Sequence, residues 1–261
     1  MKKHKTLFII LFILLVVFLQ PSVRESIQNQ FLKISWEEQL GISAGKKMWN
    51  FEEQVVVSLK ELEQKEFDGE HSVLVLGEKA SFRPEELILD QGAWKTFSDL
   101  DWLNRVGVAN AMLGSELLPT EKRGSLSHVK PTGWKNKKIQ FNGTSDYLYN
   151  RSHLIAYSLS GEDDNVKNLF TGTRALNANF ASEKNSMVYY EKMILDYIRT
   201  THHHVRYRVT PVFRGVELVA RGVRLEAQSI EDDSLSFDVY LFNIQPDYQI
   251  DYLTGASQKS N

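Results

Sequence analysis

No cysteine occurs among the 261 residues, which excludes a disulfide scaffold, a cysteine zinc finger, a thiol nucleophile and a cysteine-held iron–sulfur cluster. Any metal must therefore be held by oxygen or imidazole. Long apolar runs are missing too. The longest, Leu7 to Leu19, is 13 residues, against roughly 20 for a helix that crosses a bilayer. Nor is there an excess of one charge: the formal net charge of −2 removes a global electrostatic argument for nucleic acid but leaves room for a local cationic patch. No internal repeat, low-complexity tract or nucleophilic triad is present. What remains, 42% hydrophobic and 25% charged, is an ordinary globular composition with length for one or two domains.

Lys2, Lys3 and Lys5 precede the apolar run, and Gln20 and Pro21 stop it. A positive start and a short apolar core are the pattern of a secretory signal. The small-x-small cleavage pattern is missing from LQPSVRES, so an uncleaved membrane tether stays open beside a cleaved peptide. Residues 1–22 are expected to be a signal peptide or membrane anchor. The rest is then secreted or held at the outer face of a bacterial cytoplasmic membrane. Residues 23–70 are polar and helix-prone, with Trp36, Leu40, Trp49 and Phe51 only loosely periodic, and read as a helical spacer. Residues 71–261 form the main domain.

Within it, Val73 to Leu76 predicts a short buried strand, and LNRVGVANAMLG from Leu103 reads as helical or as strand then helix. Pro119 to Gly133 is a polar connection. Strands are expected at Lys138 to Phe141, at Tyr147 to Tyr149, around Val205, Tyr207 and Val209, around Val223, Leu225 and Ala227, and at Leu235 to Ile244. Ser186 to Thr201 gives the clearest helix, with Met187, Tyr190, Ile194, Tyr197 and Ile198 on one face and Ser186 as its N-cap. Strand clusters on both sides of helices argue for an α+β fold with a mostly antiparallel sheet.

Charge is unevenly spread. Between Glu121 and His153 seven Lys/Arg face two acids, a local balance of +5, whereas Glu226 to Asp251 holds seven acids and no base. A cationic stretch of this kind suits a phosphate backbone, and it runs up to His153 in YLYNRSHLIAYSLSG. Histidine accepts a proton near neutral pH. Ser152 beside it is read as small enough to let a bulky substrate approach. Asn177, 24 residues later in NLFTGTRALN, offers a neutral carbonyl oxygen suited to a hard cation such as magnesium. The tract His202, His203 and His204 reads as a surface cluster at a helix C-terminus, and Trp134 as core rather than a base-stacking platform.

From Ser72 to Gly255 the chain resembles the DNA/RNA non-specific endonuclease family, whose sites are ββα-metal (His-Me) fingers, and most closely its exported bacterial branch. The segments that carry the resemblance are LNRVGVANAMLG, VKPTGW, YLYNRSHLIAYSLSGE, NLFTGTRALN, VRYRVTPVF and IDYLTG. It implies metal-dependent cleavage of DNA, and of RNA, with little sequence preference. It also implies roles: His153 as general base toward water, Asn177 as the direct metal ligand, Arg151 holding substrate phosphate or the site's geometry, and Glu191 orienting the ion's water. Where the commonest motif has aspartate before the arginine, this chain has Asn150, which removes a charge near the base and affects its pH range.

Asn177 and Glu191 are fourteen residues apart, about 21 Å along one straight helix, so the chain must break between them if both serve one ion, most plausibly around Ser182 to Ser186. One asparagine ligand leaves several waters on the ion, which suits Mg²⁺, with Mn²⁺ as the alternative. Arg174, Lys122, Arg123 and Lys135 are candidate phosphate contacts; for Arg174 a structural ion pair is the competing reading. The alternative function is a non-catalytic extracellular nucleic-acid-binding or adhesion domain on the same fold. A third, an antagonistic toxin, would require an immunity partner.

Overall fold

The computed structural model describes residues 59–260 other than 78, 180 and 181. The expected signal or anchor and most of the spacer lie outside the described residues. Residues 59–64 are helical. After them come β1 (Val73–Gly77), β2 (Trp94–Phe97), β3 (Ala109–Leu113), β4 (Lys138–Phe141), β5 (Thr144–Tyr147), β6 (Tyr149–His153), α1 (Tyr157–Ser160), β7 (Leu169–Thr173), α2 (Arg174–Asn177) and α3 (Met187–Thr201). The chain ends with β8 (Val205–Val212), β9 (Gly222–Ser229), β10 (Ser236–Phe242), β11 (Tyr248–Ile250) and β12 (Ser257–Lys259).

Six strands form one antiparallel sheet in the order β1-β10-β9-β8-β3-β2, and β4-β5, β6-β7 and β11-β12 pair separately. The period-2 alternation of β8 to β10 builds the two faces of the large sheet. Val205, Tyr207, Val209, Val223, Leu225, Ala227, Val239 and Leu241 point into the main core, where Met187, Ile194 and Ile198 of α3 cover them. The opposite face carries Arg206, Arg208, Arg224, Glu226 and Asp238, ion-paired to one another and to Glu86. The expected α+β class and antiparallel sheet are thus present. Helix α3 starts one residue after Ser186, and its end is set by His202, which takes a left-handed conformation (φ 59°) and donates its N–H to Ile198.

Several local expectations change. LNRVGVANAMLG contains no α-helix: β3 is followed by one 3₁₀ turn, Ser115–Leu117. Tyr147 to Tyr149 is a junction rather than one strand, since Leu148 separates β5 from β6 and the second strand runs through His153. β1 is not buried. It lies at a sheet edge with Val75 76% exposed, the apolar run that suggested burial being open to solvent on one side. The compact unit begins at Leu59: Leu62 is buried against Val212, Tyr240 and Phe242, so the last part of the spacer packs on the domain. Among the described residues no helix is long and apolar enough to cross a membrane.

Candidate active site

β6, β7 and α2 form a finger of two antiparallel strands and a helical turn. β6 and β7 pair from Tyr149↔Thr173 to His153↔Leu169, which puts the imidazole at the far end of β6. The chain around it is tied by Asn168, whose buried carboxamide accepts from the Ile155 N–H and donates to the Ile155 carbonyl, at 2.9 and 3.0 Å. His153 is itself buried, and its Nε2 lies 2.8 Å from the carbonyl oxygen of Asp163. A carbonyl can only accept, so Nε2 carries the proton and the neutral ring keeps its lone pair on Nδ1. Burial, reinforced by the cationic Arg123 nearby, favours that neutral form: the imidazole titrates below its ordinary range, although the Asp163 carbonyl works in the other direction.

Asn177 closes α2, whose placement rests on residues from the end of β10. Each early N–H of this turn has an acceptor: Arg174 donates to the Leu148 carbonyl, Ala175 to Gln245 Oε1 and Leu176 to Thr173 Oγ1. Asn243, fully buried, receives the Thr173 N–H and donates to the carbonyls of Thr171 and Ala220. The helix end is thereby fixed on the large sheet. After Asn177 the chain leaves the helix at Ala178, makes a 3₁₀ turn over Glu183–Asn185, and enters α3 after Ser186. The required break is present. Ser186 stands at the N-cap, but its hydroxyl donates to the Glu183 carbonyl instead of capping α3.

Glu191, on the second turn of α3, meets His153, Asn177 and Arg123 along the wall of a 330 Å³ cleft, with Tyr157 and Val188. As a residue it is half-buried, yet its carboxyl is enclosed enough that desolvation pushes it up to about 8. Among the described residues it has no hydrogen-bond or ionic partner, and the Asn177 carboxamide has none either. A larger cleft of 790 Å³ shares Arg123, His153 and Asn177 with the first and continues past Asn150, Arg151, Trp134 and Tyr147. Among the described residues no cluster of three or more His, Asp or Glu side chains exists to cage an ion. An ion held here would rest on the carboxamide and keep most of its water.

The other predicted residues divide sharply. Arg123 lines both clefts and has no hydrogen-bond or ion-pair partner among the described residues. Arg151 faces the larger cleft, but its Nε and Nη2 donate to the carbonyls of Val129 and Ser127 and its guanidinium stacks 4.4 Å over Trp134. These contacts tie Arg151 to the loop at Ser127 and Val129. Arg174 does not reach the cleft. It pairs with Asp146 and donates to the Ala178 carbonyl, as the competing reading had it. Lys122 and Lys135 are exposed but line neither cleft, and Lys135 stands near Asp251 instead. Ser152 faces away from substrate. It is fully buried, and its small size accommodates Gly172, where an added Cβ would sit 2.3 Å from the serine oxygen. The histidine tract is spent on surface contacts: His203 with Asp232, and His204 with Glu231 and Glu116.

Sequence reasoning missed Asp163, Asn168, Asn243 and Gln245. Asp163 acts through its main-chain carbonyl, which no side-chain motif reports, while its carboxylate accepts the Gly124 N–H and so couples the base to the Arg123 loop. The buried carboxamides had a signal, polar residues inside apolar runs, but not one that distinguishes a clamp from a turn.

A strand-borne imidazole and a helix-end carboxamide across one cleft define a ββα-finger site. The sequence matches the DNA/RNA non-specific endonuclease family over residues 88–231, more than half of the chain, and the protein belongs to that family. A curated deoxyribonuclease of Streptococcus dysgalactiae subsp. equisimilis is 35% identical over 113 residues, covering 43% of this chain. The matching part spans only 33% of that relative's length. Among solved structures, NucA from Streptococcus agalactiae with magnesium bound superposes with a TM-score of 0.60 at 28% identity, over 66% of this chain and 82% of NucA. Sda1 nuclease with bound zinc gives 0.63 at 26% identity, over 75% of this chain and all of that one (100%).

Proposed function

We propose that the protein is an exported, divalent-cation-dependent endonuclease that hydrolyses phosphodiester bonds in DNA, and in RNA, with little sequence preference. One observation carries the reading: the lone pair on His153 Nδ1, the Asn177 carboxamide and the Glu191 carboxyl, none of them engaged by a described residue, line one cleft beside the uncommitted cation of Arg123. Polar groups that converge on a cleft without hydrogen-bond partners in the protein are available to a ligand there.

His153 takes a proton from the water whose oxygen attacks phosphorus, a contribution of typically 10²–10⁴-fold, while the bond to the leaving sugar oxygen breaks. Its Nε2–H, held by the Asp163 carbonyl, fixes the ring so that Nδ1 faces the reaction. Arg123 offsets charge on the nonbridging oxygens. A divalent cation, when bound, stabilises developing negative charge on the phosphoryl and leaving oxygens. Asn177 is the residue that would hold it, with Glu191 orienting its water; hard oxygen donors and retained hydration fit Mg²⁺ or Mn²⁺.

The reading is tested by incubating the purified protein with plasmid DNA and Mg²⁺, with and without a chelator. Degradation that the chelator abolishes and that His153→Ala loses is expected. Retained binding with no cleavage at any pH from about 6 to 9 would favour a non-catalytic nucleic-acid-binding domain. Export is supported by the positive start and short apolar core of residues 1–22. A mass measurement of the native mature protein separates a cleaved signal from a retained anchor.

A further inference from the structure

The geometry points to Tyr147 as a stacking platform for an unpaired nucleobase flanking the cleaved phosphate, a proposal that rests on the nucleolytic reading above. The two clefts share Arg123, His153 and Asn177, so a phosphate at that shared wall sends its neighbouring nucleotide into the 790 Å³ cleft. Three aromatic side chains line that cleft: Trp134, Tyr147 and Tyr149. Trp134 has one face under the Arg151 guanidinium at 4.4 Å. Tyr149 is 1% exposed, with its hydroxyl donating to the Gly255 carbonyl. Tyr147 alone among them presents its ring, 51% exposed, and its hydroxyl has no described partner.

An exposed aromatic ring on a flexible loop would mean little, but this one is braced. Tyr147 ends β5, paired with Lys138 of β4. The preceding residue, Asp146, points to the other side of the strand and forms the ion pair with Arg174 at the start of α2. Since α2 ends at Asn177, one salt bridge ties the hairpin bearing the ring to the helix bearing the carboxamide. That gives Arg174 a positioning role in place of phosphate contact. Recognition by a ring face suits any base, because every base has a π-face. Of the carboxamides lining this cleft Asn136 is committed, bonding the Tyr149 N–H and carbonyl at 2.9 Å each, whereas that of Asn150 has no described partner. The ring contact itself grips a base without naming it, and it favours single-stranded segments, where the base face is free.

The test measures binding of a single-stranded oligonucleotide in the presence of chelator, so that no turnover is needed, for wild type, Tyr147→Ala and Tyr147→Trp, beside an abasic oligomer of equal length. Stacking of one base by one ring predicts that Tyr147→Ala weakens binding roughly 5- to 100-fold, that Tyr147→Trp retains it, and that the wild type binds the abasic strand about as weakly as the alanine variant binds the normal one. On fully paired duplex the alanine substitution should cost under about threefold, because neighbouring bases occupy the faces. Equal affinity of wild type and Tyr147→Ala for the single strand overturns the proposal, as does equal affinity of wild type for normal and abasic strands. Absence of plasmid cleavage would instead overturn the nucleolytic reading and leave this measurement interpretable on its own.

Discussion

Two polar regions of this protein lie on opposite sides of the same sheet, and they are built on opposite rules. On one side Arg208, Arg224, Glu86, Glu226 and Asp238 pair with each other: Arg208 grips Glu226 at 2.7 Å, Arg224 grips Asp238 at 2.6 Å, and Ser81 completes the Glu226 carboxylate. On the finger side, His153 Nδ1, Asn177 and Glu191 line one cleft and hydrogen-bond to none of the described residues. The first region is richer in charge and chemically closed. The second is sparse and open, and the difference teaches that a dense concentration of ionisable residues can be wholly committed to structure while a few cleft-lining groups stay available to a ligand.

The contrast can be broken at either end. His153→Ala removes the neutral imidazole from the cleft, and cleavage should fall by roughly 10²–10⁴-fold with the melting temperature little changed; a matching collapse in stability would put His153 with the structural groups. Glu226→Ala should do the reverse. Arg208 loses its bidentate partner and keeps only Glu86, a loss of about 3–5 kcal/mol of stability, read in a urea melt, while turnover per folded molecule stays at the wild-type level. Glu191→Gln keeps the shape but loses the charge that orients the ion's water, so the metal concentration giving half-maximal rate should rise roughly 10- to 100-fold; an unchanged metal titration would leave Glu191 a surface helix residue.

The smallest effect is in pH. A buried imidazole beside Arg123 is held neutral below its ordinary pKa of about 6.5, so the acid limb of kcat/KM belongs below that value. Arg123→Gln removes a cation that disfavours the imidazolium and should move this limb upward. The same sign applies to stability: the folded state binds fewer protons at His153 than the unfolded chain, so its contribution is complete above about 6.5 and declines as pH falls through the lower folded value. A limb above 7 in the wild type would contradict the buried, neutral base.

The convergence of His153, Asn177 and Glu191 on one cleft was legible from the sequence. His153 and Asn177 stood in separated motifs, and the break before α3 followed from helix rise alone, because fourteen residues of straight helix would carry Glu191 too far from Asn177. In the large sheet β8 and β9 declared themselves by alternation, whereas β2 gave no signal and β3 lay in a segment that read as helical or as strand then helix. Groups whose role is fixed by tertiary position were not legible. The Asp163 carbonyl that sets the His153 tautomer could be any residue's carbonyl. Ser152 looked like an opening for substrate until Gly172 was found against it. Arg174 and Arg151 are cations in a basic stretch, and only their partners, Asp146 for one and the carbonyls of Ser127 and Val129 for the other, reveal that both hold the scaffold. The β1 run misled because apolarity reports a tendency to be covered, and an edge strand leaves part of it uncovered.

The most direct measurement is an anomalous difference map from crystals soaked in Mn²⁺. The expected result is one strong peak bonded to the Asn177 carbonyl oxygen, carrying waters that reach Glu191, with His153 Nδ1 facing that hydrated ion without bonding it. A peak ligated by the His153 imidazole, or one found only at the His203–His204 surface, would contradict the assignment of an unpaired base and an unpaired carboxamide to opposite sides of one reaction.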